Sequence, residues 1–284
     1  AYEIMPSLVG SEMCIRDRRH GDERRSEINM MPLSMDREDL IEERAIAITL
    51  TNDNYIRHVP VETFRIQNRG GKGLKGVATK DEDSPQSIIT CFSKDRLLIF
   101  TDLGRVYGLK AWETPQGSRQ SRGTHIRNLL ENLQDDENIV SILPISKELV
   151  DDVTERCLKV KLEEGEKRPP SGYFLLFATK LGLIKKTDLH EYVRINRNGK
   201  YALRFKLEND SLVNVQQSVD SDDVVMISTT GYASRFKCDA IRISGRVSGG
   251  VYGIKVAERK GSGGGFVAGM LAPEPILSKI RPGL

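Results

Sequence analysis

Four times along this chain, two short β-type runs flank a tight turn, and a second glycine follows at an almost constant distance. The first runs are Ala45–Leu50 before Asn54, Leu97–Phe100 before Gly104, Tyr173–Ala178 before Gly182 and Val224–Ile227 before Gly231. Each turn leads into a partly alternating run: Tyr55–Val61, Arg105–Ala111, Leu183–Leu189 and Tyr232–Cys238. Gly or Asn at the turn supplies the positive φ that a tight hairpin needs. The turns lie 19, 19, 17 and 19 residues before Gly73, Gly123, Gly199 and Gly250. A further strand is expected beyond each of these glycines, clearest in Tyr201–Lys206 and Val251–Val256. A last apolar run closes each unit: Ser87–Phe92, Ile139–Ile145, Leu212–Gln216 and Phe266–Leu271. About four strands per unit, with turn-to-turn periods of 50, 78 and 49 residues, predict an all-β, propeller-like radial repeat. A single sheet of this kind cannot bury both faces, so neighbouring units must supply the core.

The blades are placed at about 44–92, 93–145, 173–219 and 220–272. The long period holds an insertion, 146–172, rich in charge and ending in Pro169-Pro170. It reads as a surface excursion, although Cys157–Leu162 alternates as an edge strand would. Residues 19–43 read as a linker with a short helix, and 273–284 as a truncated tail without a fifth hairpin. Residues 1–18 are expected to be disordered and foreign to the fold. Within them, residues 7–17 back-translate to the end of a transposon sequencing adapter read in frame.

Length is ample for a core, and no run approaches the ~18 apolar residues of a membrane span. Cys14, Cys91, Cys157 and Cys238 are far apart with no CxxC spacing, which suggests reduced thiols, a cytosolic setting and no metal site. His20, His58, His125 and His190 have no ligand spacing either.

A net charge of +3 conceals an uneven distribution. The windows 57–75, 104–127, 182–206 and 231–255 together hold 22 Lys/Arg against 5 Asp/Glu, leaving 21 basic and 35 acidic residues elsewhere. A merely solvated face would mix both signs. A basic stripe that recurs once per blade forms a curved cationic track if those segments share a rim.

Within the first window stands Gln67-Asn68-Arg69-Gly70-Gly71-Lys72-Gly73. Its glycines let backbone N–H groups approach a ligand, and the cations beside them suit phosphate. By composition alone it is equally a flexible surface loop. It is not a P-loop, because no Ser or Thr follows the lysine and the glycine spacing differs. Gly261–Gly269 lacks the strand–helix context of a dinucleotide fingerprint and reads as a hairpin loop. Trp112, Tyr107 and Tyr252 read as packing residues.

These residues resemble the C-terminal domain of DNA gyrase A, whose seven-residue box usually reads Gln-Arg-Arg-Gly-Gly-Lys/Arg-Gly. Further matches are Gly21–Ile28, Glu38–Ile41, Gly104–Tyr107 with Leu109-Lys110, and Ser121–Gly123 leading to Asn128–Leu130. The resemblance covers about 19–272. Asn68 departs from the box by removing one cation, and Lys75 stands just beyond it.

The resemblance implies a β-pinwheel of about six blades, four of them seen here, that binds and wraps double-stranded DNA. It implies DNA contacts at Gln67, Asn68, Arg69, Gly70, Gly71, Lys72 and Gly73. Weaker rim contacts are expected at Lys75, Lys110, Arg122, Lys185, Lys186, Arg197, Arg235 and Lys237. It also implies a place in an ATP-dependent type II topoisomerase with gyrase B and a second gyrase A, in the bacterial cytoplasm near the nucleoid. The catalytic tyrosine, ATP and Mg would lie elsewhere in that complex, so no cofactor is expected in this chain. The corresponding topoisomerase IV proteins share the fold but normally lack an intact box. A protein-binding propeller scaffold is the other alternative.

Overall fold

A computed structural model describes residues 38, 40–64, 84–118, 121–159, 168–256 and 265–272, and those from Ile41 onward form one compact unit. Four antiparallel sheets follow one another along the chain. The first is built on the hairpin of β1 (Ala45–Thr51) and β2 (Tyr55–Pro60), closed by β3 (Pro85–Phe92). In the second, β4 (Arg96–Thr101) and β5 (Arg105–Lys110) form the hairpin, and after a two-residue strand β6 (Thr124–His125) the closing strand is β7 (Ile139–Ile145).

The third hairpin is β8 (Phe174–Thr179) with β9 (Leu183–Asp188), followed by β10 (Lys200–Tyr201) and closed by β11 (Leu212–Ser218). The fourth joins β12 (Asp223–Ser228) to β13 (Ala233–Lys237), followed by β14 (Val251–Tyr252) and closed by β15 (Val267–Leu271). The closing strands touch one another in sequence, β3 with β7, β7 with β11 and β11 with β15, and so mark the inner side of the array. Asn54 takes φ +60° and Gly104, Gly182 and Gly231 take +73°, +92° and +83°, the turn geometry expected of them.

Central strands are buried on both faces, which is why their sequences are continuous apolar runs. In β4, Leu97 and Ile99 pack with Ile46 and Ile48 of the first sheet, while Leu98 and Phe100 pack with Leu175 and Phe177 of the third. In β8, Leu176 and Ala178 point the other way, to Val224 and Met226 of the fourth. Each core therefore lies between two units, as the repeat demanded. In β12, the last central strand described, alternation returns: Val224 and Met226 are buried while Ile227 is 37% exposed.

Four expectations are corrected. The fourth strand of a sheet does not come from its own unit. β6 pairs with β2, β10 with β5 and β14 with β9, so each unit completes the sheet before it. The fourth sheet has three strands among the described residues, and β13 is its edge. These outer strands are two residues long, shorter than Tyr201–Lys206 and Val251–Val256, and Tyr252 is 59% exposed rather than packed.

The insertion is also more than a surface excursion. Ser146 caps a helix α1 (Lys147–Val153) by accepting from the Leu149 N–H at 3.3 Å, and a π-helical turn (Thr154–Leu158) continues it. Leu149, Val153 and Cys157, four residues apart on one face, are buried, the first two in the core between the second and third sheets. Residues 160–167 lie outside the described residues.

Candidate nucleic-acid interface

The basic windows fold into arms that leave one sheet and dock on the previous one. Each begins with a single 3-10 turn, at Ala111–Glu113, Leu189–Glu191 and Cys238–Ala240. The second and fourth units' arms then run parallel to the previous outer strand, bridging His58 to Gln116 and Lys186 to Ile243. The third does the equivalent as the Gly108 N–H donates to the Asn196 carbonyl at 3.1 Å. Next comes the second glycine, at φ +85° (Gly123), +73° (Gly199) and +75° (Gly250), and then the two-residue strand.

Only glycine fits at these three places. A Cβ on Gly123 would stand 2.6 Å from the Ile56 carbonyl oxygen, one on Gly250 2.5 Å from that of Ile184, and one on Gly199 2.5 Å from the Tyr107 ring. The second glycine of the repeat is thus the contact point between units. In the first unit the arm begins with the turn Val61–Thr63. Gln67, Asn68, Arg69, Gly70, Gly71, Lys72, Gly73 and Lys75 lie outside the described residues.

The remaining rim candidates divide into four groups. Arg122 is exposed on the second unit's arm, its guanidinium 3.8 Å from the Tyr55 ring centre. Arg197 is exposed but bound to Glu113 at 2.5 Å, and Lys110 donates its backbone N–H to the same carboxylate at 3.0 Å. Arg235 and Lys237 are exposed on β13 and share Asp223, at 2.6 and 3.7 Å.

Lys185 and Lys186 are not rim cations in the expected sense: 1% and 2% exposed, they lie beneath the arm that covers β9. Lys186 Nζ binds Asp220 and donates to the Cys238 carbonyl at 3.0 Å, over the Phe174 ring. Lys185 Nζ donates to the Ala202 carbonyl at 2.6 Å and to that of Arg246, over the Phe177 ring. Burial pulls the Lys185 amine down to about 7, opposed by Glu191 and assisted by Arg246.

Several further cations, not among the rim residues expected from sequence, are exposed. Arg194, Lys200 and Arg204 on the third unit's arm, and Arg242 and Lys255 on the fourth's, reach solvent, and none is paired with a carboxylate among the described residues. Lys206, also exposed, reaches the Gly250 carbonyl at 2.5 Å. Their signal was membership of the basic windows; burial alone separated them from Lys185 and Lys186. No group of His, Cys, Asp or Glu suited to a metal occurs among the described residues. What the array presents is fixed positive charge on backbone held by glycine fits.

A family profile described as DNA gyrase C-terminal domain, beta-propeller, matches residues 46–91, 95–146, 173–218 and 222–262, unit by unit. The chain belongs to that family. Among curated relatives, the DNA gyrase A protein of Staphylococcus epidermidis (strain ATCC 12228 / FDA PCI 1200) is 39% identical over 257 residues, 90% of this chain and 26% of that protein. The DNA gyrase A protein of Staphylococcus aureus (strain MRSA252) is 40% identical over 258 residues, again 90% of this chain and 26% of that protein. This gyrase-family chain thus spans about a quarter of the length of those relatives.

Two solved structures share the fold. The C-terminal domain of DNA topoisomerase IV matches at TM-score 0.58 and 20% identity, over 82% of this chain and 62% of that one. The DNA gyrase A C-terminal domain matches at 0.57 and 22%, over 80% and 64%. The fold therefore does not separate the two enzymes, whereas the sequence relatives named above are gyrase proteins.

Proposed function

We propose that this chain is the DNA-binding and DNA-wrapping part of a gyrase A protein. The observation that carries this reading is the set of exposed arginines and lysines, unpaired with carboxylates among the described residues, on arms docked across successive sheets, within a chain of the gyrase family. Such cations neutralise phosphates and release counterions without reading bases. About ten contacts give a log–log salt slope near −9. Bending a 20–30 base-pair site costs on the order of 1–6 kcal/mol, which that many contacts offset.

Gln67, Asn68, Arg69, Gly70, Gly71, Lys72 and Gly73, with Lys75, would anchor the wrap in the first unit, with Arg122, Arg194, Lys200, Arg204 and Arg242 along the rim. The chain supplies no catalytic tyrosine, nucleotide or metal chemistry in this reading. Those belong to the remainder of an ATP-dependent type II topoisomerase, assembled with gyrase B and a second gyrase A in the cytoplasm.

A topology assay tests the wrap. Relaxing a plasmid in the chain's presence and then removing protein should leave positive writhe. Gly70→Ala combined with Gly71→Ala should abolish it. An unchanged linking number with retained duplex affinity would instead favour a topoisomerase IV type of chain. Binding indifferent to salt would favour a protein scaffold.

A further inference from the structure

The third residue after each hairpin turn occupies one recurrent place beneath the incoming arm. In the first unit it is Arg57, 2% exposed, which donates to the Ser118 carbonyl of the next unit's arm at 3.0 Å. In the second it is Tyr107, whose ring receives Gly199. In the third it is Lys185, which reaches the carbonyls of Ala202 and Arg246 at once. Arg57 and Lys185 correspond in role down to the glycine: a Cβ on Gly123 or Gly250 would stand 3.2 Å from the Cβ of Arg57 or Lys185 respectively. In the fourth unit the residue is Ser234, on the strand no arm covers among the described residues.

Lys185 differs from the other two because its two acceptors belong to different arms. Ala202 follows β10 on the third unit's arm, held by its own N–H to the Gly104 carbonyl at 2.8 Å. Arg246 lies on the fourth unit's arm, two residues before Ser248-Gly249-Gly250. On the outside, Lys206 of the third arm lies across Gly249 and donates to the Gly250 carbonyl. One lysine joins the two arms from within and another from without.

We infer that Lys185 is a positioning residue that clamps the third and fourth arms into a single surface and so sets the spacing of Lys200, Arg204 and Arg242. The groups acting on its amine are Glu191 on the following turn and Arg246 on the fourth arm, Tyr192 shares its Ala202 acceptor, and Arg242 of the fourth arm and Lys206 of the third line the same cavity as Lys185. Tyr192 donates to the same Ala202 carbonyl at 3.3 Å, so the clamp shares one acceptor with a neutral donor. An ammonium that gives up one of its three protons still carries a donor for each carbonyl, so the clamp holds on both sides of its titration. Burial brings the amine to about 7, and an opening that returns it to water lets it take up a proton. The arms therefore close more firmly as pH rises through neutrality. The consequence for duplex binding rests on the DNA-wrapping reading; the clamp itself does not.

Amide hydrogen exchange on the full 284-residue chain, with duplex binding measured alongside, tests the clamp. Lys185→Met should lower protection of residues 244–250 about tenfold while leaving β4 and β5 unchanged. Lys185→Arg should restore it. Corrected for intrinsic exchange, protection of 244–250 should rise from pH 6 to pH 8 in the unmodified chain and stay flat in Lys185→Arg. Because that comparison needs only donor-bearing chains, it decides the matter even if Lys185→Met does not fold. Equal pH dependence in both, or full protection in a folded Lys185→Met, overturns the clamp. If exchange behaves as described while the unmodified chain ignores duplex DNA, the clamp stands and the DNA reading falls.

Discussion

The third and fourth sheets are built from the same hairpin, yet their outer strands meet opposite fates. β9 is buried along its whole length, and β13 alternates between exposed and half-buried residues. Lys186 and Arg235 each stand four residues after a turn glycine, but one side chain is 2% exposed and the other 72%. The strand sequences do not cause this; both are basic and both pair in regular antiparallel register. The arm does. β14 and the segment before it cover β9, whereas nothing among the described residues covers β13. A basic residue on these strands is therefore a clamp or a surface charge according to what the next unit lays upon it.

The largest test of the contrast lies in the cores. Phe177, fully buried and edge-on to Phe100 at 5.5 Å, should cost about 3–5 kcal/mol on truncation to Ala in urea unfolding. Phe236 of β13, half-buried against the core of the third and fourth sheets, should cost less than half of that. Comparable losses would mean that β13 is covered after all.

A pair of glycines separates covered from open backbone in the same way. Gly250→Ala meets both positive φ and the Ile184 carbonyl and should destabilise by about 3–4 kcal/mol. Gly231→Ala, at similar φ but with nothing within 4 Å, should cost about 1–2 kcal/mol by the same measurement.

A pH series isolates the buried lysine. Lys185 sits near 7 in the fold against an ordinary 10.5, so between those values the unfolded chain binds the proton more tightly. Stability from this group is thus lowest below pH 7 and rises with pH through that window. Lys185→Met should remove that rise from the unfolding midpoints; no counterpart is expected for the exposed Arg235.

The smallest effect concerns the open strand itself. Asp223→Asn releases Arg235 and Lys237 from their shared carboxylate and should leave the unfolding midpoint unchanged, since exposed pairs contribute little. On the proposed DNA-wrapping function, duplex affinity at low salt should rise a few-fold, with a steeper salt slope, as two cations become available to phosphate.

Much of this was legible in the chain. Asn54, Gly104, Gly182 and Gly231 located the hairpins, and Ile139–Ile145 was placed to the residue, because positive-φ turns and apolar runs are local signals. The exchange of outer strands was not, since Thr124-His125, Lys200-Tyr201 and Val251-Tyr252 are too short for any periodicity. The helix of the insertion did leave a mark in Leu149, Val153 and Cys157, hidden among charges. Lys185 and Lys186 misled because a lysine reads as solvated unless its cover is known.

Residue order alone specifies a radial series of hairpin units and a cationic bias confined to one segment of each. Those follow from turn chemistry, strand patterning and charge counts, which act over a few residues. Which unit completes which sheet, and therefore which cations face solvent, was settled only by the assembled fold. That choice depends on docking between segments some 60 residues apart, Lys185 to Arg246 among them, and no local pattern encodes it.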